Sequence, residues 1–357
     1  MLRSVIAQTT LIWSVTIGLL AAGSVQPVAS YWTQPVAGDY LRLWAMAIPF
    51  ALTNFTALAL LRAADQSHKA GRAIIAGGVL QIALTPTLVF GIGIVPALGI
   101  SGAALAHALA AMMVSVVLLL QPWQIQPVAL LLTIGRKLFA LALPAAFSNL
   151  SVPLAATLMM SLLANSHDSY VAAFALALRI ESFCLVAFYA YSSVIGPVAV
   201  LQRQRSPKTF GVLLNHCRNH CFAVGAGLFT LLLPLPFSFH HWLTACPDVV
   251  FPLQLYFWTV PLSYGAYGFV MLANGIFNGF GRPYLGLGIS VVRCVALLWP
   301  TAMLLNQNWP GHGVFMAIAA SNGLSAIFAT RLLKRVSAQN REFVSTTTHQ
   351  PMTRKFL

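Results

Sequence analysis

Ten apolar runs fill this chain almost end to end, at about 9–28, 42–62, 73–95, 99–120, 138–163, 170–200, 210–235, 251–279, 284–305 and 310–334. A hydrocarbon core about 30 Å thick takes roughly 20 residues of helix to cross. Inside lipid every backbone N–H and C=O must find a partner within its own segment or in a closed barrel. Barrel strands would be about ten residues long and alternate apolar with polar, and these runs do neither. The expected fold class is therefore an all-α integral membrane protein of about ten transmembrane helices. Only 7% of the residues are charged, against about a quarter in a soluble domain, and the mean hydropathy is +0.80.

The formal charge of +14 invites a nucleic-acid reading that the positions of the charges reject. Numbered from a cytoplasmic start, the inward loops and ends hold all of the 20 Lys and Arg except Arg42, Arg179 and Arg293. Arg62, Lys69 and Arg72 share one loop, Arg203, Arg205 and Lys208 another, and Arg331, Lys334 and Arg335 begin the tail. This is the positive-inside pattern. It predicts an inner-membrane, multi-pass protein with both termini cytoplasmic and no nucleic-acid partner. Residues 1–30 also fit a cleavable secretory signal, which would leave the orientation of later spans unchanged.

Cys184, Cys217, Cys221, Cys246 and Cys294 suggest no disulfide framework, since two lie in spans and one in an outward loop. The stretch HCRNHC sets His216 and His220, and Cys217 and Cys221, four apart. That spacing can serve a metal, but a solvated helix end explains it as well, and no metal or cofactor is expected. No Ser/His/Asp order, phosphate loop or hydrolase carboxylate pair emerges, so an enzyme is not expected.

The chain repeats itself. FGIGIVPALGISGAALAHAL, from Phe90, returns as MLLNQNWPGHGVFMAIAASNGL, from Met303, and Gly99 aligns with Gly313 at an offset of about 214. Pro49 in AIPF aligns with Pro261 in TVPL at about 212. Each copy reads helix, short basic loop, helix, Pro/Gly turn, small-residue helix, so both cross the membrane in the same direction, as in transporters built from two parallel bundles. The second copy has room for three helices before its proline and the first for one. The repeat predicts a parent of two six-helix lobes with the N-terminal lobe two helices short. The expected parts are an N-terminal lobe of four helices at 1–120, a cytoplasmic linker at 121–137, a six-helix C-terminal lobe at 138–335 and a disordered tail at 336–357.

ALLRAADQSHKAG, LQIALTPTLVFGIG and ALGISGAALAHAL, followed by LALPAAFSNL, AAFALALRIES, ANGIFNGFGRPY, VVRCVALLWP and GHGVFMAIAASN, resemble in order and spacing the MATE multidrug and toxin extrusion family. The likeness covers about 10–335. It implies a V-shaped pair of bundles, export by rocking of the lobes, and coupling to inward H⁺ or Na⁺. Departures accompany it. Where the family reads N-x-x-L-D-P, this chain has Gln81 and Thr85 ahead of Pro86, so a hydroxyl stands in place of a carboxylate.

Ionisable groups inside a span are costly and mark function by default. Of six acids, only Glu181 falls within one, roughly 16 Å along its helix. Arg179 and Arg293 are its expected partners, either in a structural ion pair that fixes helix register or around a proton carrier. His107 is the one His at membrane depth, and histidine is the side chain suited to exchanging a proton near neutral pH, which makes it a second ion-coupling candidate. Gln81, Thr85, His107, Asn149, Tyr189 and Asn274 are the expected substrate-binding residues, with Asn278 and Tyr191 beside them; helix-to-helix bonding explains such residues equally. Met159, Met160 and Phe183 offer an adaptable apolar wall, and Pro86 and Pro144 bends.

The resulting expectation is a monomeric transporter that extrudes organic, cationic or amphipathic small molecules by ion-coupled alternating access. Two alternatives stand beside it. A lipid-linked oligosaccharide flippase of the same superfamily would need several cavity cations. A non-transporting remnant would follow if the short lobe could not seal a pathway.

Overall fold

A computed structural model describes residues 8–9, 12–20, 23–24, 35–63, 66–92, 96–119, 128–235 and 247–347. Every described element is helical: α1 (Pro35–Ala63), α2 (Ser67–Phe90), α3 (Gly99–Leu119), α4 (Val128–Ala164), α5 (Asp168–Arg205), α6 (Pro207–Leu232), α7 (Val250–Thr259), α8 (Tyr264–Gly279), α9 (Pro283–Val291), a π-helical segment (Val292–Leu298), α10 (Trp299–Asn308) and α11 (His312–Thr347). Eight stretches among the described residues are long and apolar enough to cross a membrane. The protein is a multi-pass membrane protein. Of the ten expected spans, 9–28 is described only in part, and α6 falls short because Asn215, His216, Arg218, Asn219 and His220 make its middle polar.

Two expected boundaries move. The linker at 121–137 lies partly outside the described residues, and from Val128 it is already the first part of α4, because VALLLTIGRKLF has no Pro and a single interior Gly, Gly135, weakens a helix without ending it. The tail expected to be disordered from 336 instead continues α11 to Thr347; AQNREFV carries neither Gly nor Pro to stop it. Residues 348–357 lie outside the described set.

The chain divides into two compact units, Met1–Phe139 and Ala140–Leu357. In the first, α3 packs against both α1 and α2. Polar side chains join α1 to α3: Asn54 Nδ2 donates to the Ala111 carbonyl at 3.0 Å, and Ser115 Oγ reaches Asn54 Oδ1 at 2.8 Å and the Phe50 carbonyl at 3.0 Å. Pro49 lies inside α1 without ending it, and Thr53 Oγ1 donates to the Pro49 carbonyl at 2.8 Å.

In the second unit α8 is central, packed on α5, α6 and α11. Glycines let the backbones meet: a Cβ on Gly196 would lie 2.7 Å from the Gly275 carbonyl oxygen, and one on Gly275 would lie 2.6 Å from Ser192. Without a hydrophobic drive between helices in lipid, close van der Waals approach of this kind is what associates them. Around this seam runs a continuous buried cluster that includes Phe188, Phe210, Leu253, Phe257, Leu272, Phe277 and Phe315. The repeat is visible in the packing, since α11 contacts the 250–279 and 283–308 helices as α3 contacts α1 and α2. The copies differ at their prolines: α1 runs through Pro49, whereas Pro261 opens a 3₁₀ turn that separates α7 from α8.

Candidate functional site

A small cavity in the C-terminal unit gathers the charged groups. Glu181, Arg293, Tyr267 and Asn322 line it together with Met159, Phe174 and Ile318, and it has room for about 60 Å³. That suits a few waters or a small ion and excludes drug-sized molecules, whose sites run to roughly 300–1,000 Å³.

Each charged group reaches the cavity for a local reason. Glu181 sits about a third of the way along α5, and the hydroxyl of Tyr256 on α7 donates to its Oε2. Arg293 lies in the π-helical segment. Pro300, two residues past that segment's end, has no N–H and its ring crowds the carbonyl four residues back; a wider i→i+5 turn accommodates such a ring, and Arg293 is buried within that turn. The guanidinium donates to Asn322 Oδ1 at 3.2 Å and lies 4.6 Å from the centre of the Tyr267 ring. Asn322 Nδ2 in turn donates to Ser263 Oγ at 3.0 Å. Arg293 is 7% exposed, so the ring face and the amide replace the water it has lost.

The expected ion pair is therefore corrected. Among the described residues the one ion pair within 4.0 Å is Arg42 with Asp39; Glu181 is held by a tyrosine and Arg293 by an amide and a ring. Arg179 is exposed, because residues two apart on a helix point to different faces.

The expected substrate-binding residues divide among separate places. In the N-terminal unit Gln81 and His107 meet, with His107 Nδ1 3.4 Å from Gln81 Oε1, and the Thr85 hydroxyl donates to the Gln81 carbonyl at 2.7 Å. Asn274 joins a polar knot in the other unit: its Nδ2 lies 3.4 Å from Ser148 Oγ and from Ser290 Oγ, which are 2.8 Å apart. Asn149, one residue from Ser148, is exposed, as are Tyr189, Asn278 and Phe183, and none of them lines the small cavity. The Tyr191 hydroxyl donates to Cys217 Sγ at 3.2 Å. His216 and His220 are exposed while Cys217 and Cys221 are buried, so the four do not converge, and no group of three metal-ligating side chains occurs among the described residues.

A second, apolar groove of about 490 Å³ lies beside α4, lined by Phe147, Leu154, Leu158, Val291, Val295 and Trp299 among others. Ala155 lines both this groove and the charged cavity.

No family model matches the chain. Its fold superposes on that of a Vibrio cholerae MATE transporter, VcmN, with a TM-score of 0.82 and 22% identity, covering 95% of this chain and 79% of that one. The chain has the MATE fold. A MOP-superfamily transporter from Pyrococcus furiosus shares this MATE fold at a TM-score of 0.77 and 18% identity, over 94% of this chain and 79% of its own. In sequence, a FAD transporter of Shewanella oneidensis is 28% identical over 320 residues, which is 85% of this chain and 69% of that protein.

Within this MATE fold, sequence reasoning found Glu181 and Arg293 but not what holds them. Tyr256 in LQLYFWT gives no signal, being one aromatic among several. Asn322, a carboxamide in the small-residue run AIAASNGL, was the detectable one, since such a group in a span needs a partner.

Proposed function

We propose that this chain is a membrane transporter that moves organic small molecules by alternating access, coupled to an ion handled in the C-terminal unit at Glu181. The observation that carries the reading is the cavity shared by Glu181 and Arg293. It is too small for the substrate, and it holds a carboxylate whose one polar partner among the described residues is a neutral hydroxyl, so a proton arriving there displaces no ion pair among them. A proton needs only the carboxylate, whereas a hard metal cation needs several oxygen ligands, and the amide oxygen of Asn322 beside Glu181 already accepts from Arg293; a proton therefore suits the space better than a metal cation. The substrate in this reading is a cationic or amphipathic organic compound, as in multidrug extrusion.

A second reading concerns the substrate alone. The likeness to a FAD transporter favours a flavin dinucleotide, an anion with a flat apolar ring system. Proteoliposomes holding the full chain separate the two. Under an imposed pH gradient, ethidium movement supports the first reading and FAD movement the second. Movement of neither under a proton or a sodium gradient overturns both, and movement driven by sodium alone removes the proton.

A further inference from the structure

We propose that the N-terminal unit carries a binding groove for an anionic phospholipid on the outer face of α2. The groove has room for about 620 Å³ and is lined by Ala73, Ala76, Gly77, Val79, Leu80 and Ala83, closed on one side by Met113 and Val114 of α3, with Arg72 at one end. Small residues make it a trough: a Cβ on Gly77 would lie 2.7 Å from Val114 Cγ2, so the glycine sets how deep the floor can be. Ile75 and Val79 are exposed at 67% and 61% and form an apolar rim.

Length and charge choose the occupant. From Arg72 to Ala83 the trough runs roughly 16 Å at 1.5 Å per residue, about half of a hydrocarbon core of ~30 Å. One acyl chain of one leaflet has that reach. At the end where its headgroup would sit, Arg72 and, just under one turn earlier, Lys69 are both exposed. Among the described residues neither has a carboxylate within 4.0 Å, the one such pair there being Arg42 with Asp39. An apolar trough of one-leaflet length ending in two open cations fits a lipid phosphate with its tail. A second copy of this chain would bring its own basic end against the same cations.

Native mass spectrometry of the full chain in detergent, after exposure to equal amounts of phosphatidylglycerol and phosphatidylcholine with matched tails, tests this. The wild type retains phosphatidylglycerol at least about fivefold over phosphatidylcholine, since one Lys or Arg beside an anionic headgroup is worth that much and two are present. Arg72→Gln lowers the preference, Arg72→Gln with Lys69→Gln brings the two lipids to parity, and Ala76→Phe, which fills the trough, lowers retention of both. Val79→Trp on the rim replaces Ala76→Phe if that variant does not fold. Lys334→Gln, an exposed basic residue on α11, leaves the preference intact. Equal retention in the wild type, an undiminished preference in Arg72→Gln, or loss of preference in Lys334→Gln overturns the proposal. So does a wild-type dimer that Ala76→Phe abolishes, which makes a second copy the occupant.

Discussion

At the scale of single residues, the C-terminal cavity rests on three contacts, and each can be removed without changing shape much. Glu181→Gln keeps an acceptor for the Tyr256 hydroxyl and deletes the charge. Its expected outcome is transport that no longer follows an imposed pH gradient, with the melting temperature in detergent nearly unchanged, read by dye efflux at several pH values alongside thermal unfolding. Survival of the wild-type pH profile would make Glu181 structural. Asn322→Ala withdraws the amide from the buried Arg293, which costs about 1–3 kcal/mol for a group left unsatisfied, and lowers stability where Glu181→Gln does not. Glu181 was legible in the sequence because a lone acid in a span needs an explanation. Arg179 looked like its partner only until helix geometry was applied, and Tyr256 could not be seen because a hydroxyl donor on a distant helix leaves no local trace.

Among elements, the α5–α8 seam and the π-helical segment do most to place the site. Gly275→Val puts side-chain atoms where Ser192 already stands 2.6 Å from the Cβ position, and overpacking of this kind costs about 1–3 kcal/mol. Gly288→Ala, where nothing lies within 4 Å of the added Cβ, gains about 0.5–1 kcal/mol from helix propensity. Thermal unfolding in detergent should therefore move in opposite directions for the two. Equal shifts would mean that the seam is looser than its glycines imply. The helices themselves were legible from apolar length, but their ends were less so: α4 starts inside the expected linker and α11 outlasts the apolar run, because hydropathy marks what lipid covers and not where a helix stops. The π-helical turn had one visible cue, Pro300 in VVRCVALLWP.

For the whole molecule, the basic loops predict an orientation. It places Ser206, between α5 and α6, on the cytoplasmic face. Ser206→Cys in a background lacking the native cysteines should react with an impermeant maleimide in inverted vesicles and not in intact cells; the opposite pattern reverses the topology. The internal repeat was readable as sequence and reappears as the same order of packing in each unit, while the polar residues singled out by type divided among separate places because residue type says nothing of helix face. Ala155 carries a consequence for the bilayer itself. Its side chain is a single methyl, and it borders the charged cavity on one side and the oily groove on the other. The insulation between the two is thus one residue thick, so whatever fills the groove, a lipid tail or a hydrophobic additive, becomes part of the dielectric in which Glu181 and Arg293 hold their charges.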